Sequence, residues 1–371
     1  MKRARRGQSP PRLTLLFVLS MVVFMYLVLV WFSPQPPPPL HVEEDNGSKS
    51  YNGAMSCNRL QSVLEDKMVM GFRSLFTAKQ LDSVFLSLST KDTLPALQIQ
   101  LDSLRENAPK MLSKFIVVCV GNDTCIQCEG MHPGQCVPDE YLADFLQGVT
   151  GANSLSHKSS SGLAKAYVDI IWRKPELILL AFQAGAKFVG VVDTDGVWFS
   201  NPPFGYDTNM SIQASSEHGQ PANYLVTQSR CNRASIFRGS PLILNSGTVL
   251  MRNDFMGQQF LQDWLAFRAT NAIGLCGETN TEVGRESAML DQDGMNSVAC
   301  LEGKPYSNQV VGLSSNQVLL NAIHNRIRGQ DWYSICRPWF FHATNCGGTG
   351  DKHVCLERNL QRHRDARCDQ T

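Results

Sequence analysis

The chain has 371 residues, with 34 Lys and Arg against 33 Asp and Glu, for a formal net charge of +1. That length suits one large or two modest globular domains, and the near-zero charge excludes a polybasic nucleic-acid binder. The partner has to be read from particular sites, because bulk charge names none.

Residues 1–12 carry Lys2, Arg3, Arg5, Arg6 and Arg12, and Leu13 to Phe32 follow without a charge. About 20 apolar residues are enough to cross a bilayer as a helix, and the basic flank keeps the N-terminal side cytosolic. A cleaved signal peptide has a shorter apolar core followed by small residues, whereas Trp31, Phe32 and a proline run follow here. The expected layout is a cytosolic tail at 1–12 and an uncleaved type II anchor, the membrane contact, at 13–32. A stem would then cover 33–73 and a luminal domain 74–371.

Ser33 to Leu40, SPQPPPPL, reads as a stiff polyproline II spacer at the head of that stem. All 12 cysteines, from Cys57 to Cys368, come after the apolar segment, which fits an oxidising lumen and several disulfides. Cys125, Cys128 and Cys136 have no second Cys-x-x-Cys or His pair to answer them, so a stapled loop is expected over a zinc knuckle. Cys119, inside an apolar strand, reads as a buried thiol. Sequons begin at Asn46, Asn122 and Asn209.

Ser83 to Thr90 reads as a strand, Leu94 to Asn107 as a helix with Leu97, Leu101 and Leu104 on one face, and Lys114 to Val120 as a second strand. Strand, helix and strand at that spacing predict a right-handed crossover and a parallel sheet. The unit lacks G-x-G-x-x-G, which argues against an NAD or FAD site. A helical stretch from Ser161 to Gly185, broken before Pro175 and stopped by Gly185, comes next. Lys165, Arg173 and Lys174 on it can face phosphates or simply form a solvated face.

The chain is organised around Lys187 to Pro202, KFVGVVDTDGVWFSNP. Phe188, Val189, Val191 and Val192 predict a buried strand that ends abruptly on Asp193 and Asp195. In open α/β sheets ligands sit beyond the carboxyl ends of the strands, so carboxylates delivered there belong to a site. Paired hard oxygens with a glycine letting the chain turn away suit Mg²⁺ or Mn²⁺ holding a diphosphate. The spacing is weak evidence by itself, since a second Asp-x-Asp occurs at Asp291 and Asp293.

Pro241 to Arg252 interrupts an apolar strand with Asn245, Ser246 and Gly247, and a polar break of that kind reads as a site wall. The helix from Phe255 to Arg268 puts Phe260, Leu261, Trp264 and Leu265 on one face, which core packing explains. Near the C-terminus, His342 ends an aromatic run and precedes Gly347, Gly348, Gly350 and Lys352. A core histidine is the plain reading; a metal ligand followed by a cation for the same diphosphate is the other.

In this order, VVDTDGVWFSNP, LNSGTVLMR, DQDGMN and FFHATNCGGTGDK resemble the nucleotide-diphospho-sugar transferase family, which includes plant cell-wall xylosyl- and arabinosyltransferases. The resemblance spans about residues 80–355. It implies a GT-A fold, Rossmann-like, with a mostly parallel central sheet and helices on both faces, behind the membrane anchor. It further implies Mn²⁺-dependent retaining transfer in the Golgi, from a nucleotide sugar such as a UDP-sugar to a glycan or glycoprotein acceptor. Carried over by position, Asp193, Asp195 and His342 are metal ligands. Asp193, Asp195, Asn245, Gly247 and Lys352 then bind the donor, with Asp291 or Gln292 beside the reacting sugar. The loop between His342 and Lys352, with Cys346, departs from the family pattern.

Two other readings stay open on sequence alone. VGVVDTDGV also resembles the nucleophile motif of haloacid-dehalogenase-type phosphatases, which need a later strand ending in an acidic pair. The same carboxylates would also suit a non-catalytic, Ca²⁺-dependent carbohydrate-binding domain.

Overall fold

Apolar runs separated by amphipathic stretches build an α/β structure, seen in a computed structural model that describes residues 51–150, 165–202, 210–216, 224–227, 231, 236–237, 240–241, 243–270, 290–320, 335–344 and 349–366. The chain divides after Lys49, and every described element lies in the second unit, Ser50–Thr371. Among the described residues no helix is long and apolar enough to cross a membrane. The anchor expected at 13–32, the proline spacer and the sequons at Asn46 and Asn209 lie outside them.

The first helix is α1 (Tyr51–Lys79). Met68, Phe72 and Phe76, four residues apart, share one helical face with Val69, and all are buried in the main core. The core therefore takes in side chains that precede residue 74. The expected crossover follows as β1 (Ser83–Ser89), α2 (Leu94–Asn107) and β2 (Phe115–Cys119). Leu97, Leu101 and Leu104 are fully buried, as their spacing predicts. After α3 (Asn122–Met131), β3 (Cys136–Pro138) and α4 (Glu140–Thr150), the long helix α5 (Lys165–Gln183) leads to β4 (Phe188–Val192).

Helix α5 runs through Pro175 without the expected break. Proline removes one helical N–H, and burial outweighs that loss here: Trp172, Leu177 and Ile178 are buried on both sides of it. Gly185, at φ +108°, ends the helix as expected. Its N–H bonds Phe182 O and the Ala186 N–H bonds Ala181 O, the paired Schellman closure that needs a left-handed residue.

The remaining elements are β5 (Gly196–Trp198), β6 (Ile212–Ser216), β7 (Tyr224–Leu225), β8 (Ile236–Phe237), β9 (Ser240–Pro241), β10 (Leu244–Arg252) and α6 (Phe255–Thr270). They are followed by α7 (Asp291–Ala299), β11 (Val310–Leu313), β12 (Val318–Leu320), β13 (Phe340–His342) and α8 (Thr349–Asp365). The main sheet has the order β3-β2-β1-β4-β10-β6-β11-β7, and a small sheet has the order β12-β13-β5. β3, β2, β1 and β4 run parallel, and so do β6 and β11, whereas β10 is antiparallel to both β4 and β6 and β7 is antiparallel to β11, so the sheet is mixed, with most of its strands running one way.

Disulfides staple this scaffold. Cys128 pairs with Cys136, which is the expected closed loop, and Cys119 pairs with Cys125 instead of remaining a buried thiol. Cys231 pairs with Cys300 at the end of α7.

Gly190 lies mid-strand in β4 because a side chain has no room there. A Cβ would stand 2.4 Å from the Phe85 ring and 3.0 Å from Leu250. Gly190→Ala is expected to cost about 1–3 kcal/mol in denaturant unfolding, the usual penalty of overpacking a core.

Candidate metal and donor site

β4 carries its apolar residues into the core and releases the chain at Asp193. The Asp193 N–H bonds Gly247 O at 2.9 Å, and the Asp195 carbonyl accepts the Ala343 N–H at 2.8 Å. The turn between the carboxylates is thus pinned to β10 on one side and to the end of β13 on the other. β13 runs antiparallel to β5, with His342 opposite Gly196. This register brings the imidazole to the acidic turn: His342 Nε2 lies 3.1 Å from Asp195 and 3.5 Å from Asp193.

β10 reaches the same place through a bulge. Asn245 pairs with Ser215 and Val249 with Ala214, so Ser246, Gly247 and Thr248 stand between partners that are adjacent on β6. Asn245 Oδ1 accepts the Gly247 N–H within the bulge. A Cβ on Gly247 would meet His342 Cε1 at 2.0 Å and an Asp193 oxygen at 2.8 Å, so glycine is required by close approach.

Asp193, Asp195 and His342 form a potential metal-binding group, with one ligand atom from each lying within 4.8 Å of the others. Oxygen ligands with one imidazole suit Mn²⁺ or Mg²⁺. His342 Nδ1 is buried without a partner, so only Nε2 is directed at the carboxylates. The residues present therefore fit a divalent ion.

Two lysines bracket the group. Lys352 Nζ pairs with Asp195. Lys174 Nζ lies 3.1 Å from Asp193 and 3.0 Å from Asp291, with the Ser246 oxygens at 3.4 and 3.5 Å. Lys174 is buried and bridges the metal group to α7, and the reading of it as a solvated face is overturned. The available signal was the placement of Arg173 and Lys174 within a largely apolar run from Val168 to Phe182, whose other charges are Asp169 and Glu176. Arg173, its neighbour, turns the other way to Asp139 and Glu176 and meets no site residue. The Lys165 side chain lies outside the described residues.

The second Asp-x-Asp divides its labour. Asp291 is the carboxylate held by Lys174, while Asp293 accepts the Leu290 N–H as a cap at the start of α7. Gln292 accepts the Ser246 N–H at 3.2 Å and so supports the bulge. Asn296, which sequence reading did not single out, bonds the Ile243 and Leu244 N–H groups and the Leu244 carbonyl, fixing α7 to the start of β10.

Charge sets the protonation of these groups. Burial opposes the charge on Asp195, yet His342 and Lys352 hold its carboxyl well below the usual range. Burial likewise opposes charging His342, but Asp195 and Asp193 raise its pKa above the ordinary value. Asp291 shifts the other way: burial, helped by Asp193, raises it against the pull of Lys174.

A family model described as nucleotide-diphospho-sugar transferase matches residues 110–356. The chain belongs to that family. A search of curated proteins returned no match. Solved structures similar to this family member include mouse xyloside xylosyltransferase 1, at 14% identity and TM-score 0.42, over 71% of this chain and 98% of that one. Another is the galactosyltransferase LgtC with donor and acceptor sugar analogues, at 12% identity and TM-score 0.46, over 76% of this chain and 95% of its own. GlyE of Streptococcus pneumoniae TIGR4 is similar at 9% identity and TM-score 0.40, over 76% and 63% of the respective chains.

Lys174→Met leaves Asp193 and Asp291 facing each other without their shared cation. Breaking a buried pair of this kind costs about 3–5 kcal/mol, which chemical denaturation should read. The proton on His342 competes with a metal ion. Because the folded pKa of His342 is raised, its contribution to metal-free stability is full below about 6.5 and is lost as pH rises through the folded value. Mn²⁺ affinity measured by calorimetry should therefore increase with pH across that window, with proton release on binding.

Proposed function

We propose that this glycosyltransferase-type enzyme moves a sugar from a UDP-sugar to a glycan or glycoprotein acceptor, with metal dependence and with retention. The observation that carries the reading is the group Asp193, Asp195 and His342 at the carboxyl end of β4, bracketed by Lys174 and Lys352. Bound there, a divalent ion would offset the negative charge that a departing diphosphate develops.

The chain's own groups supply the rest. Lys352 is the cation for the diphosphate oxygens, reaching from the first turn of α8, and its pairing with Asp195 supports that assignment. Asn245 and Gly247 shape the donor wall through the β10 bulge. Asp291, held on Lys174, is the carboxylate for the oxocarbenium-like sugar, and Gln292 keeps the bulge beside it in place. We assign the domain to the GT-A type and to the Golgi lumen, behind the anchor expected at residues 13–32. Neither Asp291 nor Asp351 ends a strand, since both lie in helices, which disfavours the phosphatase reading.

The test is turnover of a panel of UDP- and GDP-sugars by the purified protein with Mn²⁺, Mg²⁺ or EDTA, beside a generic phosphatase substrate. One nucleotide sugar should be consumed only with metal, and Asp195→Ala should lower that rate by at least about 100-fold, as loss of a charge-stabilising group does. Phosphatase turnover without nucleotide-sugar turnover would overturn the proposal. Ca²⁺-dependent glycan binding without any turnover would favour the carbohydrate-binding alternative.

A further inference from the structure

Helix α2 buries Leu94, Leu97, Leu101 and Leu104, yet polar residues interrupt its buried side. Gln100 and Ser103 are fully buried, and Asn107 follows one turn later. Positions i, i+3 and i+7 lie on one helical face, so these side chains form a rail. Gln100 Nε2 donates to the Asp193 carbonyl at 2.9 Å. Ser103 Oγ accepts the Trp198 N–H at 2.9 Å while donating to the Gln100 carbonyl at 2.7 Å. Asn107 Nδ2 donates to the Trp198 carbonyl at 2.9 Å.

Each of the three side chains thus bonds the backbone of one short segment, Asp193–Trp198, which contains both acidic ligands. Its opposite edge is taken by β13, which carries His342. Gln100 is kept at a cost, because its Oε1 is buried without a partner. An apolar side chain of similar size would avoid that cost, so a requirement outside core packing holds the amide there.

We infer that Gln100, Ser103 and Asn107 are positioning residues that hold the Asp193–Trp198 backbone at the spacing from His342 required to bind a divalent ion. This rests on the metal-dependent reading above. None of the three touches metal or donor. They act by fixing the carbonyl of Asp193 and both backbone groups of Trp198, so that Asp193 and Asp195 cannot drift from the imidazole.

The experiment is Mn²⁺ titration calorimetry on the purified full chain without donor, paired with thermal denaturation. Gln100→Met keeps length and apolar volume but cannot bond Asp193, and it removes the unpartnered oxygen. It should melt close to wild type and bind Mn²⁺ about 10-fold more weakly, the usual loss when a group supporting a metal ligand is removed. Asn107→Ala, at the less buried end of the rail, should weaken binding in the same direction. Phe72→Leu, which trims the core at α1, should lower the melting temperature and leave the affinity unchanged. Wild-type affinity in both rail variants would overturn the inference and leave the function standing. Absence of any Mn²⁺ affinity in the wild type would overturn the functional reading, and the inference with it.

Discussion

The structure depends on how one strand end disposes of its charge. β4 is buried along its length and then delivers Asp193 and Asp195 into a largely dry environment, where ionised carboxylates are costly unless paired. Lys174, Lys352 and His342 supply the pairing, and each comes from a different element. The mixed sheet, the bulge in β10 and the small sheet formed by β12, β13 and β5 can all be understood as ways of bringing those partners to the turn.

The same arrangement explains why the helices around the site carry buried polar residues. α7 contributes Asp291 to Lys174, Gln292 to the bulge and Asn296 to the start of β10, so a single short helix governs both a charge and a backbone path. α5 separates its two adjacent cations: Lys174 faces the site, while Arg173 enters a network with Asp139 and Glu176. That network fixes the rotation of α5 and thereby the direction of Lys174.

Much of this was legible in the chain itself. Asp193, Asp195, Gly247 and His342 were marked by local contrast, a polar or glycine residue set into an apolar run, and local contrast survives without knowledge of contacts. Gln100 was not, and Lys174 stood only as one of three basic residues with two open readings, because their meaning lies in partners 93 and 19 residues away. The place of Met68, Phe72 and Phe76 in the core was hidden for a related reason, since their stripe shows itself only against the core it fills. Cys119 in an apolar strand looked like packing, since a disulfide is a property of two positions. The continuous course of α5 through Pro175 likewise depends on tertiary burial that outweighs a local rule.

The pairing of β5 with β13 also has a temporal side. Gly196 to Trp198 can meet α2 as soon as it is made, but its partner strand with His342 follows only well over a hundred residues later. Until then the acidic turn has Lys174 but neither its imidazole nor Lys352. The cation site is therefore among the last features to close during synthesis, and most of the chain is made before a metal pocket can form.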